Sequence, residues 1–217
     1  MRSFLSIFLF LISLTAISAE NFYYREITGD RITPLFNKIT TNGQNRTIES
    51  CSWYGTSTYY TDLDFNMNAW HFIHETNGSD FWAHRNGTKI VLTGTFQNKP
   101  VNREYTVSNG RWYQCLDLSL SKYAASSDKE HIFWVIRPTD LEYLEMIATK
   151  DGEEFVKVNG DTVWAVRLKV TVTGISGAFW SSSYWYRKSD MNYVRYEAYH
   201  GGLGTPLTVF ELLREES

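Results

Sequence analysis

"FWSSSYWYRKSDMNYVRYEAY", residues 179–199, carries eight aromatic rings in twenty-one positions. Two β-rich runs, 179–187 and 193–199, flank the five residues KSDMN, so the stretch reads as a hairpin. Alternation puts Trp180, Tyr184 and Tyr186 on one face of the first strand, with Phe179 and Trp185 on the other. On the second strand Val194, Tyr196 and Ala198 share a face, and Tyr193, Arg195, Glu197 and Tyr199 take the opposite one. A sheet with one wet side has no need of rings on both faces of a strand. Each face then meets a cover, or one of them lines a cavity, a role that suits rings burying roughly 150–250 Å² each. Exposed coplanar rings would instead make a sugar platform, and a girdle of rings on even ten-residue strands would face lipid. The strand signals here vary in length, which ranks the membrane barrel last.

The pattern spreads outward from this hairpin. Asn-Gly pairs at 42–43, 77–78, 86–87, 109–110 and 159–160, and Asp-Gly at 151–152, are tight-turn signals between β-rich runs. Residues 80–96 and 103–118 both read as strand, turn, strand. In "WAVRLKVTVT", Trp164, Val166, Leu168, Val170 and Val172 alternate with Ala165, Arg167, Lys169, Thr171 and Thr173. "TDLDFNMNA" likewise reads as a strand, with Leu63, Phe65, Met67 and Ala69 on one face and Asp62, Asp64, Asn66 and Asn68 on the other. A helix is expected from Thr139, where Thr139 and Glu142 fit a capping box and Leu141, Leu144, Ile147 and Ala148 share a helical face. A strand reading of that segment stays open, and a second short helix is expected after Pro34.

The first nineteen residues, "MRSFLSIFLFLISLTAISA", have one Arg, a short apolar run and small residues at 16, 18 and 19. That is the layout of a secretory signal peptide, leaving a single β-rich domain over 20–217 in the periplasm or secreted. No later apolar run is long enough for a transmembrane helix. The chain carries 21 basic and 24 acidic side chains with no basic stripe, which argues against nucleic acid as a partner. Export makes a disulfide between Cys51 and Cys115 the expected state, contributing about 4 kcal/mol by chain entropy. Two separate buried thiols are the alternative.

Catalytic motifs are missing from the sequence. It has no Gly-x-Ser-x-Gly elbow, no phosphate loop, no His-Glu-x-x-His and no Cys-x-x-Cys. His71 and His74 lie three apart in a strand-like run, hence on opposite faces, so no metal site and no cofactor are expected. Asp62, Asp64 and Asn66 begin like a calcium loop, but Met67 and Ile73 stand where Gly and Glu are needed. A glycosidase would have to bring Asp62 or Asp64 beside Asp117 or Glu197.

"GDTVWAVRLKVTVTG" (160–174) and "YWYRKSDMNYVRYEAYHGGLGTPLTVFEL" (184–212) resemble the C-terminal half of bacterial periplasmic proteins of the lipoprotein-carrier, LolA-like, type. The likeness covers about residues 155–213 and consists of strand and turn patterns. It implies a strongly curved open barrel with helices across its concave side and a cavity for acyl chains. The 139 helix would suit such a plug. Taken together, the expectation is a mainly β chain, a curved antiparallel sheet forming an open barrel or sandwich with one or two short helices. It is non-enzymatic and binds or carries an apolar, lipid-like ligand or lipoprotein, with Trp164, Trp180, Tyr184, Tyr186 and Tyr196 as lining. A carbohydrate-binding or structural cell-envelope β-sandwich is the alternative, and a glycoside hydrolase stands behind both.

Overall fold

The computed structural model describes residues 17–107, 110–174, 180–199 and 204–216. The leader as far as residue 16, together with Phe179, Asn109 and His200, lies outside the described residues. The first half of the chain is a meander of eight strands: β1 (Ile17–Thr28), β2 (Arg31–Asn42), β3 (Asn45–Ser52), β4 (Gly55–Asp62), β5 (Met67–His74), β6 (Ser79–Asn86), β7 (Lys89–Phe96) and β8 (Lys99–Thr106). A return segment holds two short helices, α1 (Leu116–Ser119) and α2 (Ser121–Ala125). A second meander follows: β9 (Glu130–Ile136), β10 (Tyr143–Val158), β11 (Asp161–Val172), β12 (Ser181–Arg187), β13 (Tyr193–Tyr199) and β14 (Leu207–Glu216).

All fourteen strands form one antiparallel sheet, ordered β8 to β1, then β14 back to β9. The sheet is an open barrel with β8 and β9 as its edges. Lys99, Pro100, Arg103 and Glu104 blunt the β8 edge against pairing with another chain. The β9 edge is strapped by the return segment. Trp134 N–H donates to Arg111 O at 2.9 Å, Tyr113 N–H to Trp134 O at 2.9 Å, and Met67 N–H to Trp112 O at 3.0 Å. Across the gap, Arg103 Nη1 and Tyr105 Oη donate to Leu141 O at 3.1 and 2.7 Å.

The concave face is the core. Ile48, Trp70, Phe81, Ile90, Leu92, Phe133, Leu168 and Tyr186 are buried there, and Leu118, Leu120, Tyr123 and Ala124 of the helices pack among them. The ring-rich hairpin forms as expected, with Tyr184 opposite Tyr196. A bulge after Trp185 shifts its register, so Tyr193 pairs with Tyr186 and turns to the concave side, not the outer face expected for it. Trp185 faces outward yet is only 5% exposed. Its cover is the end of the β10–β11 hairpin. Trp185 Nε1 donates to Glu154 Oε1 at 2.9 Å, Arg195 Nη1 to Lys157 O at 3.2 Å, and Asn159 Nδ2 to Leu213 O at 3.2 Å. The arm lies across the outer face, so both sides of the aromatic strand are covered.

Several local expectations need correction. The segment from Thr139 is no helix. It is a loop running into β10, where Leu144, Met146 and Ala148 also fit a period of two, and pairing with β9 and β11 decides the ambiguity. Asp151–Gly152 is a bulge inside β10, and it bends the arm. Pro34 sits within β2. The plug comes from 116–125 instead. "TDLDFNMNA" is a turn between β4 and β5. Asp62 Oδ1 accepts the Asp64 and Asn66 N–H groups at 2.8 and 2.9 Å, and Phe65 adopts φ 59°. Beyond Asn109–Gly110 the chain leaves the sheet, so 103–118 is not a hairpin. The Asn-Gly turns at 42–43, 86–87 and 159–160 do join hairpin strands.

The expected disulfide is absent: Cys51 and Cys115 are free thiols. Along β3 the buried Ile48 faces inward, so alternation turns Cys51 to the outer surface, while Cys115 is buried beside the plug. The sheet separates them.

Two measurements check these points. Trp185→Ala should lower unfolding stability by about 3–5 kcal/mol, while Phe155→Ala should cost less than about 1 kcal/mol; equal effects would refute the covering arm. Maleimide should label Cys51 in the native protein and Cys115 only after unfolding, with Cys51→Ser changing stability by less than about 1 kcal/mol where loss of a disulfide costs about 2–5 kcal/mol.

Candidate functional site

The barrel is not filled to its mouth. A cavity of about 880 Å³ opens between the two meanders, on the concave side. Its walls are Leu35 from β2, Val135 and Ile136 from β9, Leu144 and Met146 from β10, Val172 from β11 and Phe210 from β14. Gln114, just before α1, and Leu116, its first residue, close its floor. Gln114 is fixed, since its Oε1 accepts from Ile136 N–H at 3.0 Å and from Trp112 Nε1 at 3.1 Å.

The residues named from the sequence divide. Trp180, Tyr184 and Tyr196 line the cavity. Tyr196 stacks on Phe210 at 5.1 Å and meets Tyr184 edge-on at 4.9 Å. Tyr186 does not line it; it is fully buried and donates to Leu116 O at 3.0 Å, holding the plug from below. Trp164 is also elsewhere, 40% exposed on the β10–β11 arm against Phe155 at 4.6 Å.

The sequence reading missed the polar rim. Glu26 follows Phe22 and Tyr24 on the inward face of β1 and is only 6% exposed. It accepts from Trp53 Nε1 at 2.6 Å, Arg31 Nη2 at 3.1 Å and Thr28 Oγ1 at 3.2 Å. The Arg31 guanidinium lies 4.0 Å over the Trp53 ring. The signal was there: a carboxylate in register with two buried rings. Burial, with the Glu26 charge adding to it, pushes the Tyr196 phenol well above its ordinary range.

Below α1 lies a second cavity of about 370 Å³, bordered by Asp117, Leu118, Phe22, Lys122 and Tyr193. Asp117 accepts from Asn37 Nδ2 at 2.7 Å and from the Cys115 thiol at 2.9 Å. Burial raises the Asp117 carboxyl, and these hydrogen bonds oppose the shift. Burial also raises the Cys115 thiol, and the Asp117 charge adds to it, so this cysteine is a poor nucleophile.

The carboxylates of a hydrolase do not assemble. Asp62 holds its own turn, Asp117 faces Asn37 and Cys115, and Glu197 pairs with Arg195 on the outer face at 2.7 Å. On the outer face Trp82 is stacked by His71 at 4.2 Å, His84 at 5.2 Å and Tyr60 at 5.9 Å. Rings stacked on one another present edges, not the flat faces of a sugar platform.

No family model matches this chain, and no curated protein matches it. Solved structures do. A beta-barrel-like protein of a domain of unknown function from Brucella abortus aligns with a TM-score of 0.64 at 8% identity, covering 91% of this chain and 97% of that one. A hypothetical lipoprotein from Escherichia coli aligns at 0.38 and 13% identity over 90% and 83% of the two chains, and a LolA superfamily protein from Nitrosomonas europaea at 0.27 and 8% identity over 91% and 84%. The fold is thus that of an open, beta-barrel-like protein. Among the described residues no helix is long and apolar enough to cross a membrane.

The plug is latched through a histidine. His131 of β9 lies between the rings of Tyr113 at 5.6 Å and Tyr123 at 5.0 Å, with Nε2 3.2 Å from the Tyr113 hydroxyl. Burial, aided by the Arg111 charge, pushes its pKa down to about 4. The unfolded chain then takes the proton first, so stability present above about pH 6.5 is lost as pH falls toward about 4. The stability gap between wild type and His131→Gln, read by urea unfolding, should shrink by about 2–3 kcal/mol from pH 7 to pH 4; a constant gap would refute the latch.

Proposed function

We propose that this chain is an exported, non-enzymatic carrier that takes an apolar, lipid-like ligand into the concave cavity of its open barrel. The observation that carries the reading is the cavity itself: about 880 Å³, walled mainly by aliphatic and aromatic side chains, with Gln114 at its floor and Glu26, Arg31, Arg137 and Glu142 as its charged residues. That size and make-up match small-molecule sites, which run to about 300–1,000 Å³. Burying ten methylenes of an acyl chain contributes about 8 kcal/mol, of the same order as the roughly 4–15 kcal/mol lost to the entropy of association. Trp180, Tyr184 and Tyr196 are the ligand-contacting residues of this reading, with Leu144, Met146 and Phe210 beside them. Trp164 and Tyr186 carry no such role.

The leader-like segment supports export to the periplasm or beyond. Cleavage after Ala19 leaves the buried part of β1 intact, because Ile17, Ser18 and Ala19 are all exposed. The carbohydrate reading is weakened on the outer face, where Trp82 is stacked by His71, His84 and Tyr60, and a purely structural envelope protein has no use for the void.

Native mass spectrometry of protein purified from its own envelope tests the proposal. A co-purifying lipid is expected, and Trp180→Asp should lose it. Ligand-free protein that also ignores both an added fatty acid and an added monoglyceride would overturn it.

A further inference from the structure

We infer that the cavity selects amphiphiles whose head carries no net negative charge, and that Glu26 is the residue that sets this preference. The inference rests on the carrier reading and concerns the chemistry of the ligand's head. The charged residues lining the cavity are Glu26, Arg31, Arg137 and Glu142. Their charges cancel, and each arginine already has a carboxylate partner. Arg31 is paired with Glu26 at 3.1 Å. Arg137 binds Asp140 through Nε at 3.0 Å and also pairs with Glu142. Counting Asp140, the described charges around the rim are negative in balance.

A site for a free carboxylate or phosphate presents a cation or N–H donors that no internal anion has claimed. Here the donors converge inward instead. Glu26 draws in Trp53 Nε1, Arg31 Nη2 and Thr28 Oγ1. An anionic head entering the rim has to displace a built-in carboxylate from its arginine, or else lie beside it in a poorly solvated site. Either costs affinity, and like charges held together are a means of rejecting a ligand. An uncharged head bearing esters or hydroxyls meets no such barrier. Its oxygens can accept from an Arg31 group, or exchange with the Thr28–Thr208 hydroxyl pair at 2.9 Å, without breaking an ion pair.

Glu26 also costs the fold something. A buried carboxylate needs its partners, whereas an apolar residue after Phe22 and Tyr24 would pack without them. Glu26 neutralises Arg31, the arginine whose guanidinium lies over the Trp53 ring beside the cavity.

The test compares two ligands with one chain, palmitate and monopalmitoylglycerol. Both are titrated below their aggregation limits into delipidated full-length protein. At about pH 8 the fatty acid is ionised and histidines are neutral. Intrinsic tryptophan fluorescence and calorimetry read the binding. The wild type should prefer the glyceride by at least about tenfold. Glu26→Gln, checked for folding by circular dichroism, should release Arg31 and shift the ratio toward palmitate by about tenfold or more. Arg31→Gln, at a partly exposed position, leaves Glu26 charged and should move the ratio the other way. Equal binding of both ligands by the wild type, or a ratio that neither substitution moves, overturns the selectivity and leaves the carrier reading intact. Binding of neither ligand overturns both.

Discussion

The structure hangs on one seam. β1 is hydrogen-bonded to β2 on one side and to β14 on the other, the latter from Asn21–Glu216 to Thr28–Thr208 with one register shift between Tyr23 and Tyr24. Every other strand pairing joins neighbours in sequence, as hairpins do. This one closes a loop of almost the whole chain, so its entropy is the largest single cost in assembling the sheet. The side chains at the seam answer that cost. Glu211, nearly buried, takes Arg25 at 2.7 Å and also pairs with Arg195 across the neighbouring strand. Thr28 and Thr208 meet on the inner side at 2.9 Å. Glu26, Leu35 and Trp53 come from the first meander, while Tyr184, Tyr196 and Phe210 come from the second. The cavity exists only when the seam is made.

Aromatic rings on both faces of β12 set the second constraint. Inside, Tyr184 lines the cavity and Tyr186 props the plug. Outside, Trp185 would be a large exposed apolar surface on β12, two strands from β14. The long β10–β11 arm removes it from water, with Arg167 5.3 Å from the ring and Glu154 taking the indole N–H. The bend that allows this comes from the Asp151–Gly152 bulge, where the register of β10 against β11 slips.

Much of this was legible from residue order because hairpins are local. Alternation in 164–173 and the KSDMN loop point to strands whatever the rest of the chain does. Legibility fails where tertiary pairing arbitrates. Leu141, Leu144, Ile147 and Ala148 satisfy a helical period, yet Leu144, Met146 and Ala148 satisfy a strand period equally well, and only the neighbours β9 and β11 decide. The true plug, LDLS and SKYAA, is too short to show a period. Parity cannot predict a bulge, so alternation alone puts Tyr193 on the wrong face. The lining fared similarly. Trp180, Tyr184 and Tyr196 follow from facing alone, but Trp164 shares their pattern and sits beyond the cavity, because its strand runs on into the arm.

The rim shows what a pattern-based reading discards. In β1 the inward sequence is Phe22, Tyr24, Glu26, Thr28, and the usual reading is that the apolar face ends at Tyr24. The sheet continues, however, and the carboxylate is carried inward with it. An unpaired charge there would be severely destabilising. Trp53, from the β3–β4 turn, and Arg31, from the start of β2, supply the partners at 2.6 and 3.1 Å. Two separate turns therefore have to be placed correctly for one buried acid to be tolerated. The same coupling ties the polar side of the cavity to the placement of both turns, while the wall opposite is built from the aliphatic Leu35, Val135, Leu144, Met146 and Val172.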